Sequence, residues 1–133
     1  MHVFISHGEA DRPWVSELAK SLRAEGIDVW LDASEVEPGK NWLREAARAL
    51  ERADAMILVF SGATSGSPEL QKAFEFALST QRLENRVITV ERRSPHDVAP
   101  EIPWVLRDLP FVRGGENPRT TARQVLKLLR EAA

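Results

Sequence analysis

Ala55-Met-Ile-Leu-Val-Phe60 is an unbroken run of six apolar residues near the middle of a chain of 133 residues. Six residues are too few for an independent helix, but they match a strand of a parallel sheet that is buried on both faces. Similar short runs occupy residues 2–6, 27–31 and 86–90. Each run is bounded by polar or glycine-containing segments, so the sequence predicts at least four strands of one sheet.

Amphipathic helices are predicted between these strands. From Pro13, apolar residues recur at the three-to-four-residue spacing of a helix face, and Gly26 is placed to end that helix. The same spacing predicts further helices over residues 42–52, 69–80 and 121–132.

The segment between the fourth strand and the last helix is the least regular part of the chain. Residues 91–106 contain three prolines and are expected to form a loop with one helical turn near Trp104. Residues 109–112 are expected to form an edge strand, because Pro110 lacks the N–H that a central strand must donate.

Strands that alternate with helices require right-handed crossovers, which favour a mostly parallel sheet of four to five strands with helices on both faces. Ligands of such α/β sheets bind outside the carboxyl ends of the strands. In this chain that edge would be formed by the loops at residues 7–12, 32–41 and 61–68. We therefore look for chemistry in these three loops.

Composition excludes several classes of protein. Eighteen basic and twenty acidic residues give a net charge of −2, which argues against nucleic-acid binding. Cysteine is absent, and His2, His7 and His96 lack the spacing of a metal site. No apolar run approaches the roughly 20 residues that a membrane span needs. We expect one cytoplasmic domain over residues 1–133, without a metal or a membrane contact.

Three sequence blocks fall on the predicted carboxyl-end loops and carry a family resemblance. They are Phe4-Ile-Ser6 with Asp11, Leu31-Asp32 with Pro38-Gly39 and Trp42, and residues 53–61 followed by a helix through Phe74-Glu-Phe-Ala-Leu78. Each block alone is weak evidence, but the three occur in order and at fitting spacing. Over residues 2 to about 112 the chain resembles a TIR (Toll/interleukin-1 receptor) domain, specifically the bacterial type.

The resemblance implies a flavodoxin-like, three-layer domain and one of two kinds of function. Some TIR domains are adaptors that pair with other TIR domains and signal by assembly. Others, including many bacterial ones, cleave the nicotinamide–ribose bond of NAD to give nicotinamide and ADP-ribose or a cyclic ADP-ribose, often in antiphage defence. NAD is then a substrate, and no cofactor is expected.

The third predicted helix departs from the pattern of the NAD-cleaving family. Ser67-Pro-Glu-Leu-Gln-Lys-Ala-Phe-Glu-Phe-Ala-Leu78 aligns without a gap, and the position of the catalytic glutamate holds Ala73. Glu75 lies about 200° around the helix, and Glu69 lies about 6 Å away along its axis, so neither is a good substitute. Because alanine has no carboxylate, we predict a catalytically inactive chain. Either Ala73 is natural, or it replaces a glutamate; the otherwise intact motif favours replacement.

Five residues are predicted to contact NAD: Ser6, His7, Asp32, Lys40 and Trp42. Trp42 could stack on a nicotinamide or adenine ring or simply pack against its own helix. Lys40 could pair with phosphates, although a loop lysine is more often only solvated. Asp32 could meet the ribose or bond the amides of its own loop.

Other polar and aromatic residues are given structural roles. Asp11 precedes Arg12-Pro13 and is interpreted as a helix cap rather than as a catalytic residue. Trp14 and Trp30 are interpreted as core packing. Trp104 is either an exposed contact for a neighbouring domain or a plug beneath a loop.

The partners implied by the resemblance are NAD or an analogue, a second TIR domain and a larger sensor protein or domain. Self-association is expected through residues 32–42, because one subunit's loop completes its neighbour's site in this family. The alternative is a non-enzymatic adaptor in which Ala73 is natural. A receiver-like phospho-acceptor domain is a third, remote alternative, because Ser6-His7 does not supply the acidic cluster after strand one, and Phe60-Ser61 does not supply the aspartate at the end of strand three.

Overall fold

The computed structural model describes residues 1–31, 42–62, 68–93 and 99–132. Within these residues, five strands form one sheet in which every neighbouring pair is parallel. The strands are β1 (His2–Ser6), β2 (Asp28–Leu31), β3 (Ala55–Phe60), β4 (Val87–Arg92) and β5 (Phe111–Gly114). Their spatial order is β2-β1-β3-β4-β5, which is the flavodoxin-like order. The predicted fold class is confirmed.

The helices of the described residues are α1 (Arg12–Ala24), α2 (Trp42–Arg52), α3 (Pro68–Ser79) and α4 (Pro118–Ala132). Short 3₁₀ helices cover Glu9–Asp11, Gln81–Leu83 and Trp104–Asp108, so the predicted helical turn near Trp104 is confirmed. Gly26 follows α1 with a φ of 85°, which is the left-handed conformation that ends helices. None of the described helices combines the length and the apolarity that crossing a bilayer requires.

Alternate side chains of each strand pack on opposite faces of the sheet. Val3 and Ile5 of β1 belong to the apolar cluster beneath α1 and α4, whereas Phe4 belongs to the cluster beneath α3. Helices therefore cover both faces of the sheet and form the three predicted layers.

Strand order reverses at β1, because β2 lies on one side of it and β3 on the other. Crevices at such a reversal, outside the carboxyl ends of the strands, are the usual ligand sites of α/β sheets. We call this side of the molecule the carboxyl edge. Ser6, Phe60 and Arg92 are the last residues of β1, β3 and β4 there.

Trp14 connects α1 to the segment after β5. Its indole is 6% exposed, and Nε1 donates a hydrogen bond to the carbonyl oxygen of Gly115 at 3.1 Å. The ring also lies against Gly114, where an added Cβ would come within 3.1 Å of Cη2 and 3.0 Å of the Thr121 hydroxyl. Close packing in the core thus requires glycine at position 114.

We expect Gly114→Ala to destabilise the protein by about 1–3 kcal/mol, because the indole cannot move without breaking its hydrogen bond. Gly115→Ala is the matched control, since an added Cβ there meets nothing within 4 Å. Thermal unfolding of both variants checks the prediction. Equal midpoints for the two would contradict the packing described here.

Candidate functional site

The Asp11 carboxylate lies at the centre of a polar cluster at the carboxyl edge. The Ser61 hydroxyl donates to Oδ2 of Asp11 at 2.6 Å, and Nη1 of Arg92 donates to Oδ1 at 2.7 Å. The aspartate side chain is 2% exposed and the arginine side chain 27% exposed. A single carboxylate therefore joins the segment before α1 to the ends of β3 and β4.

The interpretation of Asp11 as a helix cap is wrong. Asp11 does occupy the position before α1, but its side chain makes no hydrogen bond to the helix backbone. Its two oxygens accept instead from the Arg92 guanidinium and the Ser61 hydroxyl, and the guanidinium, being charged, is a stronger partner than a backbone amide.

Arg92 contacts an aromatic ring as well as a carboxylate. Its guanidinium carbon lies 5.4 Å from the centroid of the Trp14 ring, within the range of a cation–π interaction. Trp14 is buried, so its predicted packing role is confirmed, and it also supports the ion pair. The cluster formed by Asp11, Ser61, Arg92 and Trp14 is called the Asp11 cluster below.

Sequence reasoning missed Ser61 and Arg92 as members of this cluster. Arg92 was given no role because the fourth strand was predicted over residues 86–90, whereas β4 continues to Arg92. The strand alternation carried a usable signal: Ile88 and Val90 pack beneath α1, so a residue two positions further on points to the same side.

Ser6 and His7 are both buried at the end of β1, with exposures of 0% and 6%. Nδ1 of His7 lies 2.8 Å from the carbonyl oxygen of Gly8. Because a carbonyl only accepts, Nδ1 carries a proton in this hydrogen bond. Ser6 Oγ has no hydrogen-bond partner among the described residues.

Ala73 faces the sheet from α3. It is 5% exposed and lies in the apolar cluster that also contains Leu70 and Ala77. Glu75 lies on the exposed side of α3, where it accepts a hydrogen bond from the Gln71 amide at 3.2 Å. Glu75 therefore points away from the position of Ala73, as predicted. The role assigned to position 73 stays a prediction.

Three of the predicted contact residues are not located by the structure. Asp32 and Lys40 lie outside the described residues, and Trp42 begins α2 but its side chain is also outside them. Their roles remain predictions from the resemblance.

The remaining tryptophans have contrasting environments. Trp30 stacks on Phe4 with the ring centroids 4.8 Å apart, so its predicted packing role is confirmed. Trp104 is 76% exposed, which matches a surface contact and not a plug beneath a loop.

A cavity of about 250 Å³ lies at the opposite end of the sheet, between β2 and α2. Its lining includes His2, Asp28, Glu45, Arg48 and Arg52. Two pairs of these residues are close together: Nδ1 of His2 lies 3.6 Å from the Asp28 carboxylate, and the Arg48 guanidinium lies 3.7 Å from the Glu45 carboxylate. The described residues contain no group of His, Cys, Asp and Glu that would hold a metal ion.

The fold and the Asp11 cluster together define a doubly wound α/β domain with a polar site at the reversal of strand order. A family model for the TIR domain matches residues 3–129. The chain belongs to the TIR domain family. Comparison of the sequence with curated proteins gives no match.

Solved structures of other TIR domains have the same fold. The TIR domain of the Toll-related receptor TRR-2 from Hydra magnipapillata superposes with a TM-score of 0.71 at 22% identity, covering 98% of this chain and 97% of that one. The RPS4 and RRS1 TIR domain heterodimer gives 0.67 at 18% identity, with 98% and 96% covered. A TIR-STING receptor from C. gigas, solved with 2',3'-cGAMP, gives 0.69 at 20% identity, and the match covers 96% of this chain but 39% of the receptor.

We expect Asp11→Ala to lower the free energy of unfolding by about 3 kcal/mol, because it leaves the Arg92 guanidinium partly buried without its carboxylate. Glu9→Ala is the matched control: its ion pair with Arg12 is exposed, and such pairs contribute about 0–1 kcal/mol. Denaturant titration measures both values. A loss for Asp11→Ala as small as that of the control would show that the Asp11 cluster does not stabilise the carboxyl edge.

Proposed function

We propose that this TIR domain binds NAD or a close analogue at the carboxyl edge and, as it stands, does not cleave it. The observation that carries the proposal is the apolar environment of Ala73, at the position where the resemblance places the glutamate of NAD-cleaving TIR domains. Ser6, His7, Asp32, Lys40 and Trp42 are proposed to contact the substrate.

Cleavage breaks the bond between C1 of the ribose and the ring nitrogen of nicotinamide, and the electron pair leaves with nicotinamide. Positive charge develops on the ribose before the oxygen of water bonds to C1 and gives up a proton, or before an internal nucleophile closes a ring. A nearby carboxylate stabilises this charge, whereas a methyl group cannot. The enzymatic step therefore depends on an acid that position 73 lacks.

Other described acids near this edge are already engaged. Asp11 is bound to Arg92 and Ser61. Glu91 is buried with its carboxylate 3.9 Å from Arg93, and Glu75 lies on the outer side of α3. These interactions support the proposal that the chain is inactive rather than rescued by a neighbouring acid.

The direction of α3 supports the proposal that a glutamate at position 73 would restore cleavage. α3 follows β3, so its first residues lie near the carboxyl edge and the helix runs back along the sheet. Helical side chains tilt toward the helix N-terminus. A longer side chain at position 73 would thus be directed toward the carboxyl edge, where Ser6 and His7 end β1.

The second candidate is an adaptor that acts only through association with other TIR domains. Two observations favour it: alanine fits its apolar neighbours at position 73, and Trp104 offers an exposed indole. The RPS4 and RRS1 TIR domains, which share this fold, were solved as a heterodimer. In either role we propose a place in bacterial antiphage signalling, with residues 32–42 in the contact and a larger sensor as partner.

We expect Ala73→Glu to gain cleavage of NAD by at least about a hundredfold over the present chain, because an electrostatic stabiliser of a transition state is worth that much or more. Mass spectrometry of NAD incubated with each protein measures nicotinamide release. Ala73→Gln is the control of equal size without charge and should stay inactive.

Circular dichroism must show that the Ala73→Glu variant is folded, since it introduces a carboxylate into apolar surroundings and should have a lower thermal midpoint. A folded variant that releases no nicotinamide would refute the enzymatic proposal and leave the adaptor. Cleavage by the unchanged chain would refute the proposed inactivity.

Self-association through residues 32–42 is tested by charge reversal. We expect sedimentation velocity to show a concentration-dependent dimer, and Glu37→Lys to raise its dissociation constant about tenfold, as loss of electrostatic complementarity does. Glu84→Lys makes the same charge change at an exposed site outside the segment. A monomer at every concentration, or equal effects of the two substitutions, would contradict this assembly.

A further inference from the structure

Ser6 presents a hydroxyl group that is buried without a partner. The residue is 0% exposed, and Oγ accepts or donates no hydrogen bond among the described residues. Native proteins pair most buried polar groups, because an unpaired one loses its hydration without compensation. A serine at this site therefore destabilises the present chain relative to an apolar residue of the same size.

The strand alternation places Ser6 on the sheet face covered by α3. Phe4 belongs to the apolar cluster beneath α3, Ile5 belongs to the opposite cluster, and Ser6 is the next residue. α3 packs on β1 and β3, and Ala73 is one of its sheet-facing residues. Ser6 and Ala73 therefore lie on the same side of the sheet, Ser6 on a strand that α3 packs against and at the carboxyl edge.

We infer that the Ser6 hydroxyl is the positioning group for a hydrogen-bond acceptor on the side chain of residue 73. This inference rests on the proposed function, because it assigns the donor that would hold the glutamate of an active form. A side chain longer than alanine is directed toward the carboxyl edge. Its carboxylate oxygen would accept a hydrogen bond from Ser6 Oγ, which has no other partner among the described residues. Ala73 removes the acceptor and leaves the donor.

Thr89 provides an internal control. It is also 0% exposed, its Oγ1 also has no partner among the described residues, and it is in register with Leu58, as Ser6 is. Thr89 therefore lies on the same sheet face as Ser6, but two strands away. Two inter-strand spacings put the backbones of the two residues roughly 9.6 Å apart. Because α3 packs mainly on β1 and β3, a hydroxyl on β4 is expected not to respond to residue 73.

A thermal double-mutant cycle tests the inference without requiring activity. In the present chain, Ser6→Ala should raise the unfolding midpoint by about 2–4 °C, because it removes an unpaired buried hydroxyl. In the Ala73→Glu background the same substitution should lower the midpoint by about 3–6 °C, because it removes a charge-assisted hydrogen bond. Ser6→Thr should retain the bond and restore part of that loss.

Thr89→Val should shift the midpoint by the same amount in both backgrounds. The cycle is repeated with Ala73→Gln, whose neutral amide oxygen also accepts and which should give a coupling of the same sign and smaller size. An equal effect of Ser6→Ala in all backgrounds would overturn the inference, and so would a coupling to Thr89 as large as that to Ser6.

The two proposals fail separately. Coupling between Ser6 and the new side chain without release of nicotinamide would uphold the positioning role and refute the enzymatic one. The opposite result is that Ser6→Ala changes neither the kcat of the Ala73→Glu variant nor its thermal midpoint beyond the effect in the present chain. That result would uphold the enzymatic proposal and refute the role of Ser6.

Discussion

The carboxyl edge of the sheet is organised by one buried carboxylate. Asp11 accepts from Arg92 and Ser61 and so fixes the chain segment after β1 against the ends of β3 and β4. Breaking such a pair is costly because each charge is then left partly desolvated. The Trp14 ring lies against the same guanidinium and, through its bond to Gly115, extends the connection to the segment after β5. These interactions hold the chain segments beside the reversal of strand order in place relative to one another.

The sheet was predictable because its strands are continuous apolar runs, as β3 illustrates. The Asp11 cluster was not, because its three polar members are separated by up to 81 positions in the chain and meet only when the sheet forms. Local rules also misled: an aspartate before Arg12-Pro13 has the pattern of a helix cap, but donors brought by the sheet compete successfully for its oxygens. Local propensity yields to tertiary partners where those partners are charged and close.

Position 73 could be located from sequence only through the family resemblance, since an alanine on the inner side of a helix carries no signal of its own. The structure adds the apolar neighbours of Ala73 and, on the same side of the sheet, the Ser6 hydroxyl, which has no hydrogen-bond partner among the described residues. The apolar neighbours favour a small apolar side chain at position 73, whereas the Ser6 hydroxyl requires a hydrogen-bond acceptor. With alanine at position 73 the packing requirement is met, and the Ser6 hydroxyl is left without an acceptor.

NAD is proposed to bind this chain at the carboxyl edge and to remain intact. An NMR titration of the isotopically labelled chain with NAD tests it most directly, because amide shifts locate the ligand and the nicotinamide signals report its integrity. Shifts are expected at Ser6, His7 and Ser61, with NAD unchanged over the titration. Shifts confined to the cavity at the opposite end, around Arg48 and Arg52, or free nicotinamide accumulating in the tube, would contradict it.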